Sequence, residues 1–143
     1  TARHRFDRAV ADGWDVDGAP GFVYTTDFQG APVVHERMHW VLCEAVGAAV
    51  VHGRALGQLG GHEEEVEALG RDFTTWLAYA QEHLIEQPGR WYHELAADNT
   101  PGSRTWPGRP DVYHAAQMEL LPSLPLTPCF AVAIRDQDFV PAD

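Results

Sequence analysis

Two long helical stretches in the middle of the chain differ sharply in polarity, and this difference limits the possible folds more than any other feature of the sequence. The stretch from about Glu36 to Leu56 is apolar on nearly all sides, so we expect it to be buried. The stretch from about His62 to Glu86 carries a single apolar stripe, which predicts a helix with one face in water. Shorter helices are predicted from about His4 to Asp12 and from about Asp111 to Leu121.

Strand-like segments lie between these helices. Residues 22–34 and residues 90–100 each read as a small hairpin, and Phe22 and Trp91, like Pro32 and Pro101, are 69 residues apart. This spacing suggests a repeat of helix, hairpin and helix. A buried helix followed by a half-exposed helix is the pattern of an α/α toroid, in which outer helices cover inner ones. A four-helix bundle would need four similar stripes, which the sequence does not show.

Charge and cysteine content restrict the partners and the compartment. The ten basic residues are all Arg and face twenty-one acidic residues, for a net charge of −11. Phosphate binding needs a basic surface, so we expect no nucleic-acid or anionic-membrane partner. No apolar run reaches the ~18 residues of a membrane span, and no signal peptide is visible. Cys43 and Cys129 lie outside any CxxC pair, which favours free thiols in a reducing, cytoplasmic compartment.

The segment His35-Glu36-Arg37-Met38-His39 matches the HExxH pattern of zinc metallopeptidases. On a helix this pattern places two imidazoles on one face, with a glutamate as general base for zinc-bound water. The extended motif HExxHxxGxxH, which supplies a third zinc ligand, is missing. It would need Gly and His at the positions of Leu42 and Ala45. A more distant glutamate, Glu63 or Glu65, stays open as third ligand. The alternative, which we favour, is a helix N-terminus stabilised by the glutamate, with no metal.

The segment from Trp106 to Gln117, Trp-Pro-Gly-Arg-Pro-Asp-Val-Tyr-His-Ala-Ala-Gln, is the most specific in the chain. It joins a turn rich in Pro and Gly to a helix that opens with Asp111, a favourable anion at a helix N-terminus. His114 and Gln117 are three residues apart and therefore share a helix face. Spacing alone leaves open whether His114 is functional or is a core or capping histidine.

This segment resembles the C-terminal signature of the N-acylglucosamine 2-epimerase superfamily, in the aldose–ketose isomerase branch that contains the D-mannose and sulfoquinovose isomerases. Three further motifs match in the same order: residues 12–25, 37–45 and 91–95. The resemblance spans nearly all of this chain but only the last third of a family member. It implies that residues 1–143 are the C-terminal segment of a single (α/α)6-barrel catalytic domain. The expected fold is all-α, a partial toroid of four to five helices with short β-hairpins at the cavity mouth.

The resemblance implies a sugar aldose–ketose isomerase of the mannose–fructose type that uses no metal or other cofactor. Two histidines act as acid and base through a cis-enediolate, and one of them lies in the motif matched by His114. With an unperturbed pKa near ~6.5, histidine can accept and return a proton at neutral pH. The second histidine of the family lies in an upstream Gly-His-x-x-Glu-Trp-like motif that is absent here. We therefore expect His114 to be catalytic and this chain to be inactive by itself.

Five further residues are expected to contact the sugar. An indole offers an apolar wall to the C–H face of a sugar, and the polar members are candidate hydroxyl binders; the set is Arg37, Trp40, Glu44, Asp111 and Gln117. Asp111 could equally serve only as a helix cap. His39 stands where many superfamily members have an aromatic residue.

The expected partners are a monosaccharide and a second polypeptide surface. A four-helix arc leaves two open apolar edges, so we expect it to pack against the remaining N-terminal part of the barrel or against a second copy. A sugar 2-epimerase, a zinc metallopeptidase and a non-catalytic interaction module stay open as alternative functions.

Overall fold

The computed structural model describes residues 2–127 and 129–135, and this part of the chain is rich in helix. Its helices are α1 (Ala2–Gly13), α2 (His39–Leu59), α3 (Glu63–Tyr79), α4 (Tyr113–Leu120) and α5 (Phe130–Arg135). A turn of π-helix, Ala80–Leu84, continues α3, and a turn of 3-10 helix, Leu121–Ser123, continues α4. None of the described helices has both the length and the apolar character needed to cross a bilayer.

The predicted contrast between the two long helices is present. The first half of α2 is buried through Leu42, Cys43, Val46 and Ala49, whereas α3 buries Leu69 and Trp76 along one stripe and keeps its acidic face in water. Residues 50–59 of α2 are half-buried or exposed in this chain, so the expectation of burial on most sides holds only for the first half. Three glutamates lie in the first turn of α3, where their negative charge interacts favourably with the positive end of the helix dipole.

Short antiparallel strands connect the helices. They are β1 (Thr25–Thr26) paired with β2 (Pro32–Val34), β3 (Arg37–Met38) paired with β6 (Glu94–Leu95), which also pairs with β7 (Pro101–Gly102), and β4 (Ile85–Gln87) paired with β5 (Arg90–Trp91). The first predicted hairpin is formed. The prediction of one hairpin over residues 90–100 is only partly right, because residues 90–91 pair with β4 and residues 94–95 pair with residues 101–102. Gly30 and Asn99, which are 69 residues apart, both have positive φ, at 87° and 66°. The two hairpins thus share a turn conformation as well as a spacing.

Three predicted helix boundaries differ from the observed ones, and for the starts of α2 and α4 the reason can be named. α2 begins at His39 and not at Glu36, because Arg37 and Met38 pair with β6 as a strand. α3 ends at Tyr79, and the chain is extended again from Ile85. α4 begins after Asp111, because that side chain accepts hydrogen bonds from the first backbone N–H groups of the helix.

An aromatic cluster joins α1 and the first hairpin to α3. Trp14, Phe22, Trp76 and Tyr79 lie with ring centroids 5.0 to 5.9 Å apart, and Phe6 extends the cluster from α1. Rings at such separations and at steep angles pack favourably, beyond the gain from removing their surface from water. The core thus lies between α1, α2 and α3, and it fixes the hairpin end of the molecule.

Candidate functional site

His114 lies in the first turn of α4 and is held by the carboxylate of Asp111. The Oδ1 atom of Asp111 lies 3.1 Å from Nδ1 of His114, and it also accepts the backbone N–H groups of Tyr113 at 2.9 Å and His114 at 3.3 Å. A carboxylate only accepts hydrogen bonds, so Nδ1 carries a proton, and in the neutral ring Nε2 keeps a lone pair. Burial alone would raise the pKa of Asp111, but hydrogen bonds from His114 and Tyr113 outweigh it and lower that pKa.

Three of the other predicted residues surround this imidazole. The ring of Trp40, on the first turn of α2, lies 6.0 Å from the ring of His114. The Oε1 atom of Glu44 lies 3.7 Å from Nε2 of His114 and accepts a hydrogen bond of 3.4 Å from Nε2 of Gln117. The structure therefore brings together an apolar ring, a carboxylate and an amide around one histidine.

Arg37 has a different place. Its guanidinium is buried and donates to the Asp17 carboxylate at 2.9 and 2.6 Å, to the carbonyls of Ala19 and Pro20 at 3.0 and 3.4 Å, and to the carbonyl of His35. These contacts use all of the N–H groups of a guanidinium. Arg37 therefore holds the loop before the first hairpin, and the expectation that it binds a sugar hydroxyl is corrected.

The HExxH segment does not form the helical zinc site that its pattern indicates. Residues 35 and 36 lie outside any helix or strand, residues 37 and 38 form β3, and His39 is the first residue of α2, so the two imidazoles do not lie one turn apart on a helix. His35 instead contacts Asp17, with Nδ1 2.7 Å from Oδ2. Glu36 is buried before β3 and pairs with Arg104 at 3.1 Å, so it does not stabilise a helix N-terminus either.

His39 lies beside His114, although the sequence offered it a role only as a zinc ligand in the HExxH alternative. Its backbone N–H donates to the carbonyl of His93 at 3.2 Å, and its Nδ1 lies 3.4 Å from the same oxygen. The ring is perpendicular to that of His114, with centroids 5.9 Å apart. Burial lowers the pKa of His39 to about 4, which keeps the ring neutral near pH 7. Its Nε2 is buried and has no hydrogen-bond partner within the described part of the chain.

Glu94 has a structural role beside the site that the sequence did not predict. Its fully buried carboxylate accepts the backbone N–H groups of Arg104 at 2.6 Å, Thr105 at 2.9 Å and Trp106 at 2.8 Å. Three consecutive N–H groups are thus fixed where the chain turns towards α4. Glu94 lies in one of the matched motifs, but a local pattern does not show which backbone groups a carboxylate will meet.

Most of the chain matches the model of one protein family. The model of the family described as N-acylglucosamine 2-epimerase (GlcNAc 2-epimerase) matches residues 1–118. The chain belongs to this family. The resemblance read from four motifs is thereby confirmed.

Curated relatives of this N-acylglucosamine 2-epimerase family member carry the name D-mannose isomerase. The chain is 47% identical over 137 residues to the protein from Pseudomonas cannabina pv. alisalensis, with 96% of this chain and 31% of the relative covered. It is 44% identical over 137 residues to the protein from Thermobifida fusca, with 93% and 31% covered. The chain thus spans about a third of the length of these relatives.

A crystal structure of D-mannose isomerase shares the fold of this family member. The TM-score is 0.67 at 21% sequence identity, over 83% of this chain and 29% of that chain. In this chain a cavity of about 520 Å³ adjoins the histidine site, and its wall includes Glu44, Tyr113 and Gln117. His114 itself is not among the described residues of that wall, and its side chain is 26% exposed.

Proposed function

We propose that the protein containing this chain is a sugar aldose–ketose isomerase of the mannose–fructose type, with His114 as a proton-transfer residue. One observation carries the proposal: Asp111 holds Nδ1 of His114, so that Nε2 keeps a lone pair beside Trp40 and Glu44. Family membership and the relatives named D-mannose isomerase support the substrate class. Because the chain spans only a third of those relatives, the proposal concerns the whole protein.

The proposed reaction moves two protons and needs no net oxidant. Nε2 of His114 takes the proton from C2 of the open-chain aldose, and the C–H electron pair forms the C1–C2 double bond while the C1 carbonyl becomes an enediolate oxygen. The imidazolium then returns the proton to C1 on the same face, which a cis-enediolate permits. The second histidine, supplied by the rest of the protein, transfers the proton of the C2 hydroxyl to O1, so C2 becomes the ketone carbon. An imidazole can perform both transfers near neutral pH.

The surrounding side chains have separate roles in this proposal. Trp40 offers its face to the C–H groups of the sugar. Glu44 and Gln117, which already contact each other, hold sugar hydroxyls. Asp111 fixes the tautomer of His114, and the Nε2 lone pair of the neutral His39 accepts a hydroxyl hydrogen bond.

We further propose that the chain is an arc of an (α/α)6 toroid. The second half of α2 is partly uncovered, with Val51 and Leu59 exposed, and so is Tyr113 at the start of α4. Helices from the rest of the protein would cover these apolar groups and form a closed hollow in front of His114. They would also supply the second catalytic histidine that the family resemblance implies.

Replacing His114 tests the function. In the whole protein supplied with D-mannose, His114→Gln should lower the rate of fructose formation by about 10²- to 10⁴-fold, the usual contribution of general acid–base catalysis. His62→Gln is the matched control, because His62 is a partly exposed histidine that contacts Glu65 before α3. Turnover by His114→Gln at the wild-type rate would refute the role of His114. Glucose as the product in place of fructose would identify a 2-epimerase.

The contribution of this chain alone is tested separately. The purified 143-residue chain should show no mannose–fructose exchange, because it supplies one histidine of the proposed pair and one arc of the hollow. Co-expression with the preceding part of the protein should restore exchange. Ordinary turnover by the isolated chain would contradict the proposal that the site is completed from elsewhere.

A further inference from the structure

Tyr24 and Trp40 form a ring pair in which Tyr24 has no role in the proposed reaction. Tyr24 lies just before β1 in the first hairpin, and Trp40 lies in the first turn of α2. Their ring centroids are 5.8 Å apart and their planes meet at 86°, an edge-to-face arrangement that aromatic rings prefer. Trp40 in turn lies 6.0 Å from the ring of His114. The rings thus connect the first hairpin to the histidine.

The backbone at Tyr24 and at the preceding residue is fixed by hydrogen bonds. The N–H of Tyr24 donates to the carbonyl of Val34 at 2.9 Å, and the N–H of Val23 donates to the carbonyl of Gly13 at 2.9 Å. The side chains of Phe22 and Val23 are buried. Tyr24 therefore stands on an anchored segment, which is what a side chain needs in order to hold another one in place.

Trp40 is a side chain that needs such a support. It is half-buried and does not belong to the buried core cluster of the described residues. An indole that is only partly enclosed can change its rotamer unless a neighbour restricts it. The ring of Tyr24, which stands perpendicular to the indole, provides that restriction.

Tyr24 also lies in the wall of a second cavity. This cavity has a volume of about 570 Å³ and lies between α1, the first hairpin and α2. Glu44 belongs to its wall and to that of the cavity beside the histidine site, so the two cavities adjoin. Removing the ring of Tyr24 would therefore free the indole of Trp40 on this side.

We propose that Tyr24 is a positioning residue for Trp40 and thereby sets the affinity of the protein for the sugar. This inference rests on the proposed function, in which the face of Trp40 contacts the C–H groups of the sugar. That contact is the same before and during proton transfer, so a poorly oriented indole weakens binding equally in the ground state and the transition state. His114 is held separately by Asp111. Loss of the Tyr24 ring should therefore raise KM and leave kcat nearly unchanged.

Steady-state kinetics of the whole protein with D-mannose test this role. Tyr24→Leu should raise KM about 3- to 10-fold, in line with the usual strength of an edge-to-face ring pair, with little change in kcat. Tyr24→Phe keeps the ring and should behave as the wild type does. Phe73→Leu removes a ring that packs against the core from α3, so it controls for a general loss of packing and should leave KM unchanged. An unchanged KM in Tyr24→Leu, or the same rise in Tyr24→Phe, would overturn the proposal.

A double-mutant cycle separates an effect through Trp40 from a general structural effect. In a protein that already carries Trp40→Leu, the further change Tyr24→Leu should not raise KM again, because the side chain that it positions is gone. An equal rise of KM in both backgrounds would contradict action through Trp40.

Fluorine NMR of the whole protein labelled with fluorotryptophan tests the ring contact without sugar. The resonance of Trp40, identified by its loss in Trp40→Leu, should shift in Tyr24→Leu and stay near its wild-type position in Tyr24→Phe. An unshifted resonance in Tyr24→Leu would refute the ring contact. If the resonance shifts but the protein isomerises no sugar, the proposed function fails and the ring contact stands. If the sugar is isomerised with an unchanged KM in Tyr24→Leu, the positioning role fails and the proposed function stands.

Discussion

At the scale of single residues, Asp111 combines two tasks that the sequence presents as alternatives. Its carboxylate accepts two backbone N–H groups at the beginning of α4 and also the Nδ1 proton of His114. The same contacts that cap the helix thus set the tautomer of the imidazole. The two roles can be separated by a substitution at this position. An amide side chain can cap the helix as a carboxylate does, but it lacks the negative charge that stabilises a protonated imidazole.

The variant Asp111→Asn should separate the effect on helix capping from the effect on proton transfer. Asn caps a helix about as well as Asp, so the free energy of unfolding should change by only a few tenths of a kcal/mol, whereas Asp111→Ala should lose about 1 kcal/mol. In both variants kcat should fall about tenfold or more with little change in KM, because the imidazolium is no longer stabilised by an anion. Steady-state kinetics and chemical unfolding of the whole protein measure these effects. An undiminished kcat in Asp111→Asn would show that the carboxylate is only a cap.

The sequence predicted which residues lie close to His114 better than it predicted the contacts that come from distant parts of the chain. His114, Trp40, Glu44, Asp111 and Gln117 lie together, as expected from their motifs. Arg37 does not join them, because its acceptors come from residues 17–20 and 35. The role of His39 depends on which side of the β3–β6 pair it faces, and no local pattern reveals that.

At the scale of elements, the short strand β6 organises the approach to α4. It pairs with both β3 and β7, and its first residue, Glu94, fixes three consecutive N–H groups of residues 104–106. These residues open the segment that ends in the site helix. Such non-local pairing also explains why α2 begins later than its apolar pattern predicts, since the pattern of Arg37 and Met38 alone suits a helix or a strand.

Glu94→Ala should loosen this turn. Removing a buried acceptor leaves N–H groups unpaired, at a cost of about 1–3 kcal/mol, so the midpoint of unfolding should fall. Amide hydrogen exchange at residues 104–106 should become faster, while exchange in the middle of α3 stays slow. Glu94→Gln, which keeps one acceptor oxygen, serves as the matched variant and should show a smaller effect. Unchanged exchange at 104–106 in Glu94→Ala would show that the carboxylate does not hold the turn.

At the scale of the whole molecule, a buried ion pair couples global stability to pH. Hydrogen bonding to Arg37 lowers the pKa of Asp17 from 3.8 to about 2, against the opposing effect of burial. A carboxyl whose pKa is lower in the folded state stabilises that state at pH values above the unfolded pKa. This contribution, about 2 kcal/mol, is lost as the pH falls from about 4 towards 2.

Asp17→Asn should therefore destabilise the protein at pH 7 by about 2 kcal/mol or more, since the Arg37 guanidinium stays buried without its anion. The difference from the wild type should shrink as the pH is lowered towards 2. Urea unfolding of both proteins at several pH values measures it, with Asp27→Asn at the exposed hairpin turn as a control. A difference that stays constant with pH would contradict the assigned pKa of Asp17.

The pairing of β3 with β6 and the hydrogen bond from the backbone N–H of His39 to the carbonyl of His93 are made by main-chain atoms. The imidazole only adds a contact of 3.4 Å from its Nδ1 to the same carbonyl, so we expect that the residue at position 39 can be exchanged without moving these strands. The fold is shared with a D-mannose isomerase at 21% identity. A single replacement at position 39 would therefore change the side chain beside His114 and leave the fold in place.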